Sequence, residues 1–241
     1  MYIESGNGRL LIDAGLSERE LASRLAAIGR SPRDLHGVFL THEHSDHARG
    51  VGALARKHKI PVFSTEGTYR KIRDAVGELP DWRAFKQEDG VTVGDLRVES
   101  YPTEHDAEEP VAFVVLRGSL KLGHATDLGR VTPIVRERLS RSHALLVESN
   151  HDIDMLDAGP YPWPLKQRIK SDVGHLSNEA CAELLSYLNH DLLQHVVLMH
   201  LSETNNHREI AHITAAQALG DNAAKMILAC QDRPTQLIAI H

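Results

Sequence analysis

Val38-Phe39-Leu40-Thr41-His42-Glu43-His44-Ser45-Asp46-His47 decides the reading of this chain. Its first four residues are β-branched, aromatic or apolar, the composition of a short buried strand. Three histidines and an aspartate then fall within six positions. On extended backbone, residues two apart project to one side, so His42 and His44 can grip one ion together. A turn after them lets Asp46 and His47 face a second position. Neutral imidazole and carboxylate are the usual ligands of zinc, manganese or iron. Two such ions about 3.5–4 Å apart would polarise a phosphoryl or carbonyl oxygen and hold a bridging hydroxide at near-neutral pH. A solvent-exposed histidine loop arising by chance would rarely concentrate these residue types at a strand end.

Around this segment, helical and strand patterns mix. Upstream, Leu10-Leu11-Ile12-Asp13 reads as a strand. Ser17-Glu18-Arg19-Glu20 has capping-box spacing and opens a helix with Leu21, Leu25 and Ile28 on one face, stopped by Gly29. Downstream, Ala48 to His58 reads as one helix, Ile60 to Phe63 as a strand and Thr68 to Val76 as a helix. Gly94-Asp95 and Gly118-Ser119 are two-residue hairpin signals. Thr132-Pro133 starts a helix, Ala144 to Val147 is an apolar strand, and Ser177-Asn178-Glu179 starts another helix. His195 to Met199 is a strand ending at His200, Asn206 to Glu209 caps a last long helix, and Lys225 to Ala229 is a final strand. Hairpins beside βα units suggest helices packed outside β-sheets rather than a plain doubly wound sheet.

The 241 residues suit one domain, with 41% hydrophobic and 25% charged residues, so disorder is excluded as a starting point. The net charge of −6 argues against a passive nucleic-acid coat protein without excluding a local basic groove. No apolar run approaches the roughly 18–20 residues that span a bilayer, and the opening residues lack a signal-peptide profile. The expectation is a cytoplasmic protein without membrane contact. Cys181 and Cys230 form no CxxC pair and read as small buried hydrophobes.

His-x-His-x-Asp-His after a strand resembles the signature of the metallo-β-lactamase superfamily, whose members carry a third histidine, a bridging aspartate and a last histidine further along. His105, Asp127 and His200 match these in order and spacing, each after a strand-like run. Glu104 or Asp106 competes with His105, His124 competes with Asp127, and a core histidine is the other reading of His200. That resemblance implies a four-layer αββα sandwich over residues 1–241, with metals at one edge of two facing sheets. It also implies His42, His44 and His105 on a first metal, Asp46, His47 and His200 on a second, and Asp127 bridging. The metals implied are two divalent ions, zinc or manganese.

Downstream segments narrow the branch. Glu148-Ser149-Asn150-His151-Asp152, Tyr161-Pro162-Trp163-Pro164-Leu165-Lys166-Gln167-Arg168-Ile169, Gly174-His175-Leu176-Ser177-Asn178 and His200-Leu201-Ser202-Glu203-Thr204-Asn205-Asn206 together resemble the YycJ/WalJ/VicX branch. The branch implies a 5′-to-3′ exonuclease acting on DNA. Its members begin with an additional strand and a Gly/Ser-rich loop before the segment matched by Gly6-Asn7-Gly8, so the first sheet is expected to lack an edge strand or the start to be truncated. The other reading of the same site is a small-substrate metallohydrolase: a cyclic phosphodiesterase, a thioesterase or a lactonase.

Phosphodiester chemistry assigns further roles. Lys166, Arg168 and Lys170 alternate and would line a phosphate track if that stretch is extended. His175, just before a helix start, would serve with Asp46 and Asp127 in catalysis by donating to a scissile phosphate or leaving oxygen, or would only brace its loop. Asn150 and His151 would contact substrate or orient a ligand. Trp163, between two prolines, is expected to pack rather than to stack on a base.

Overall fold

The protein is described by a computed structural model covering residues 1–241, the side chain of Ala224 excepted. Its contacts divide the chain into two units. The first comprises residues 1–102, 107–117 and 231–237, and the second 103–106, 118–230 and 238–241.

The first unit begins with β1 (Tyr2–Glu4) and β2 (Arg9–Ile12), an antiparallel pair. Then follow α1 (Glu18–Ala27), β3 (Gly37–Phe39), the short α2 (Ser45–Ala48), α3 (Val51–His58), β4 (Val62–Ser64), α4 (Glu66–Val76) and β5 (Trp82–Ala84). The strands form a sheet in the order β1-β2-β3-β4-β5, parallel from β2 onward. Strands covered on both faces are apolar at consecutive positions, and β3 and β4 are buried throughout. Leu11, Val38, Leu40 and Val62 join Leu21, Leu25, Leu54 and Ile72 of the helices in one cluster. On the opposite face, Phe39 stacks on Phe63 with ring centroids 4.5 Å apart.

The aromatic face of β3 has a partner in the same unit. β6 (Gly90–Val93), β7 (Leu96–Pro102) and β8 (Val111–Arg117) pair antiparallel in sequence order. The hairpin read at Gly94-Asp95 is present, with Val93 opposite Leu96 and Gly94 at φ +62. Phe113 of β8 meets Phe39 edge-on at 5.9 Å. β3 is therefore held from both sides, which fixes the loop that leaves its C-terminal end.

The second unit carries β9 (Leu120–Ala125), α5 (Pro133–Leu139), β10 (Ala144–Glu148), α6 (Ile153–Ala158), α7 (Trp163–Ile169), α8 (Asn178–Leu188), β11 (His195–Met199), α9 (Arg208–Leu219) and β12 (Met226–Leu228). Its strands are parallel in the order β12-β11-β10-β9. The helix starts are capped as their sequences dictate. Thr132, Asp152 and Ser177 accept from the amides of Val135, Met155 and Ala180. Among the described residues no helix is long and apolar enough to cross a membrane.

Two expectations need correction. Residues 48–58 are not one helix, because α2 ends before Gly50 and α3 starts after it. The Gly50 amide bonds to Ala14 O instead, and a Cβ there would lie 1.8 Å from Leu16 O. Residues 163–169 are helical rather than extended. Of the two cysteines, Cys181 is buried as expected and Cys230 only partly so.

One ion pair pins the edge of the first sheet. Arg30 Nε donates to Glu4 Oε2 at 2.6 Å, and Tyr2 OH donates to the same oxygen at 2.7 Å. The Arg30 hydrogen bond holds the Glu4 carboxyl at about 2, below its ordinary 4.5. A depressed carboxylate contributes stability above its unfolded value and loses it as pH falls through the folded one. Urea unfolding of wild type should therefore weaken between about pH 4.5 and about pH 2 more steeply than that of Glu4→Gln. Equal slopes for the two would show that the pair contributes nothing.

Candidate metal centre and active site

Apart from His105, which follows the antiparallel β7, the candidate ligands lie in loops at the C-terminal ends of parallel strands, where loops of an α/β sheet collect. In the first unit these are the ends of β2 and β3. Asp13 follows β2 in a left-handed conformation (φ +61), and its carboxylate accepts from the Thr41 amide at 2.8 Å. The Thr41 hydroxyl also donates to Asp13 Oδ2, at 2.9 Å. That hydroxyl has one hydrogen, so its 2.9 Å contact with His42 Nδ1 makes the imidazole the donor. His47 Nδ1 donates to Asp13 Oδ2 at 2.8 Å. Burial pushes the Asp13 carboxyl up, but His47, His42 and the Thr41 amide outweigh it and hold the group below its usual range.

The consequence is a fixed tautomer. With Nδ1 carrying the proton, His42 and His47 each present the Nε2 lone pair, the arrangement that a metal requires of a histidine braced by an outer partner. The His42 ring lies 4.6 Å from that of His44 and 4.2 Å from that of His47. Asp46 Oδ2 stands 3.4 Å from His47 Nε2. His44 caps α2 and Asp46 lies in its first turn, so the change from extended backbone to helix spreads the four donors as the sequence spacing requires.

The second unit repeats the scheme at the ends of β9, β10 and β11. Asp127 and His200 both adopt left-handed backbone, at φ +57 and +59. His105 Nδ1 donates to Gly174 O at 3.1 Å, and His200 Nδ1 donates to Glu148 Oε1 at 2.8 Å. Both rings again present Nε2. Asp127 Oδ1 lies 3.6 Å from His105 Nε2 and 3.7 Å from His200 Nε2. Two ligands on one tetrahedral ion with bonds of about 2.0–2.1 Å are about 3.3 Å apart, so these separations and the donor types fit a divalent metal.

Glu148 was quoted in a sequence motif without a role, and it is the centre of this half. It is fully buried, and its Oε1 takes the Nδ1 protons of both His175 and His200 at 2.8 Å, while Oε2 accepts from the Leu128 amide at 2.9 Å. Burial alone would raise the Glu148 carboxyl, but the two imidazoles hold it well below its ordinary value. Burial likewise works against a charged His175, and Glu148 and Asp127 overcome it and raise the imidazole pKa. Asp127, Glu148, His175 and His200 bring their donor atoms within 4.8 Å of one another.

The remaining sequence candidates fall elsewhere. Asn150 Nδ2 donates to His200 O at 2.9 Å, so Asn150 braces the loop that carries His200. His151 is buried, with its carbonyl accepting from the Asn178 amide. Lys166 is buried too, and its Nζ donates to Asp157 O at 2.8 Å. The alternating phosphate track is therefore absent, because on helical α7 Lys166 and Lys170 share one face and both reach Asp157. Arg168 points another way and pairs with Asp106, whose other oxygen is 3.3 Å from His105 Nε2. Trp163 does not pack: it is 67% exposed. Asp13 was missed as well, although an aspartate closing an apolar strand is the pattern that singled out Asp127.

A family profile described as the β-lactamase superfamily domain matches residues 8–201, and the chain belongs to that superfamily. It falls in the YycJ/WalJ branch. It is 38% identical to exodeoxyribonuclease YycJ of Bacillus anthracis over 221 residues, covering 91% of this chain and 84% of that one. It is 37% identical to exodeoxyribonuclease WalJ of Streptococcus pneumoniae over 222 residues, covering 90% and 82%. Among solved structures, the metallo-β-lactamase-fold protein YhfI of Bacillus subtilis superposes with a TM-score of 0.74 at 15% identity, covering 96% of this chain and 88% of that one. Zn2+-bound PqqB of Methylobacterium extorquens gives 0.71 at 17% identity, covering 95% and 83%. The mixed α/β fold expected from the sequence is thus a metallo-β-lactamase fold.

Two substitutions test the bracing. Glu148→Gln keeps the shape and removes the charge, and should lower metal affinity by about 10–100-fold, the usual effect of losing such a partner. Gly15→Ala places a Cβ 1.5 Å from Asp46 O, and should cut the metal content of the purified protein below half of wild type. Unchanged metal content in both variants would show that neither contact shapes the site.

Proposed function

We propose that this chain is a dinuclear, metal-dependent 5′-to-3′ exodeoxyribonuclease. The observation that carries the reading is His175, held by buried Glu148 beside Asp127, in a chain that matches two exodeoxyribonucleases over nine-tenths of its length. In this reading His42, His44 and His105 hold one divalent ion, Asp46, His47 and His200 a second, and Asp127 both. The ions are zinc or manganese, which share this donor preference. Bound there, they would acidify the attacking water and offset charge on the phosphoryl group.

The chain's own residues supply the rest. Asp46, exposed at the start of α2, accepts a hydrogen bond from the attacking water. His175 Nδ1 is committed to Glu148, so its Nε2–H donates the proton that the departing oxygen needs. The Glu148 charge keeps that imidazole protonated until the transfer and stabilises it against burial. Arg168, exposed and held by Asp106, provides a phosphate contact next to His105. Asn150 and His151 act from beneath, Asn150 by fixing the His200 backbone.

Metal-free protein resupplied separately with manganese and zinc should shorten 5′-labelled double-stranded DNA, and His44→Ala should abolish this with the fold intact. Cleavage retained in His44→Ala would sink the metal mechanism. Two metals bound without DNA cleavage would move the activity to a small phosphodiester or thioester. His175→Ala should lower kcat by about 10²–10⁴-fold, the range of general acid–base catalysis, with metal content unchanged. A loss of metal instead would make His175 a structural brace.

A further inference from the structure

The α7 segment is a basic stretch that the reaction does not use in full. Residues 161–171 contain Lys166, Arg168 and Lys170 and no carboxylate, in a chain whose net charge is −6. The helix opens with Trp163 between Pro162 and Pro164, and the indole is 67% exposed, the most exposed of the large hydrophobic side chains described. An exposed indole offers a large, rigid aromatic face to whatever binds there.

Its neighbours give it a direction. Lys170 lies two turns along on the same face, and its Nζ sits 5.9 Å from the centre of the Trp163 ring. Asp157 holds that ammonium in place. At roughly 100° per residue, Arg168 stands at the other margin of the exposed face. Arg168 is tied to Asp106, and Asp106 touches His105. The solvent-facing stripe of α7 therefore runs from Arg168, beside a proposed metal ligand, to Trp163 with its cation. Over five residues this spans about 7.5 Å along the helix axis.

We infer that Trp163 is a stacking platform for a base of the DNA strand entering the active site, with Lys170 and Arg168 flanking it as phosphate contacts. The chemistry selects the occupant. An aromatic face with one cation over its ring, and a second at the far margin of the same exposed helix face, matches a nucleotide strand, which offers π-faces and an anionic backbone together. Sequence-independent stacking also suits an enzyme that must accept each successive nucleotide. The inference rests on the exonuclease reading, because the stacked base belongs to the strand that the proposed metal site would cleave.

The test uses the metal-loaded enzyme and a phosphorothioate-linked single-stranded oligonucleotide that resists cleavage. Trp82 is the other tryptophan, so a Trp82→Phe background reports Trp163 emission alone. Saturable quenching is expected on titration. Trp163→Ala should raise KM for DNA about tenfold, within what one base–aromatic stack contributes, with kcat changed less than twofold. Trp163→Phe should restore most of the KM. Tyr187→Ala is the control: this exposed tyrosine also carries a cation, Arg136, 5.3 Å from its ring, but lies at the far end of α8. It should leave KM unchanged. A wild type that degrades DNA while Trp163→Ala keeps its KM would overturn the platform and leave the exonuclease reading standing. A dimer that Trp163→Ala dissolves, with unquenched emission, would overturn it in favour of a second copy on the ring. A wild type that degrades no DNA would overturn the exonuclease reading itself.

Discussion

One buried carboxylate organises the second unit. Glu148 is fully buried at the end of β10, and a lone charge there would cost several kcal/mol. The cost is offset because donors meet both oxygens: Leu128 N and Leu176 N on Oε2, His175 Nδ1 and His200 Nδ1 on Oε1. Those donors come from three places far apart in sequence. Leu128 follows Asp127 in the turn after β9, His200 follows β11, and His175 precedes α8. Satisfying Glu148 therefore sets the turn that aims Asp127, the tautomer that presents His200 Nε2, and the ring orientation of His175. The geometry of the candidate site and the removal of a desolvation penalty are here one requirement.

The first unit solves the same problem with different parts. Asp13 stands to His47 and Thr41 as Glu148 stands to His200 and His175, a carboxylate at a strand end whose partners fix imidazole tautomers. Both arrangements depend on strained backbone. Of six non-glycine residues described with positive φ, Asp13, Asp127 and His200 are three. Left-handed conformation costs an L-residue about 1 kcal/mol or more and persists only where the surroundings enforce it. Here the surroundings are the strand ends themselves. Each strand must stop and turn its last side chain back across the sheet edge, and the left-handed residue makes that turn within one position.

The sequence was most legible where its signal is local. The caps at Ser17, Thr132 and Ser177 and the Gly94-Asp95 turn all depend on residues within a few positions, and each formed as read. The roles of Glu148 and Asp13 were illegible because their partners are distant. Glu148 meets His200 across 52 positions, and Asp13 meets His47 across 34. Residues 163–170 misled for another reason. Alternating charge was read with the period of a strand, while Pro162 and Pro164 sit at the cap and second position of a helix, where proline is tolerated. The helical period then places Lys166 and Lys170 together on Asp157 and separates Arg168 from them.

The bracing also explains why the loops around the site leave so little room for substitution. A Cβ on Gly129 would lie 2.0 Å from Asp172 O, and one on Gly174 would lie 2.1 Å from Ile169 O. Gly174 O in turn accepts the His105 Nδ1 proton, and His175 is the next residue. The C-terminal end of α7, the proposed ligand His105 and the proposed acid His175 thus share a few backbone atoms in close contact. A displacement of α7 cannot be absorbed before it reaches His105. Arg168, through Asp106, makes the same connection by side chains. Whatever binds the exposed face of α7 is therefore connected through packed backbone to the imidazoles proposed to hold metal and donate the proton.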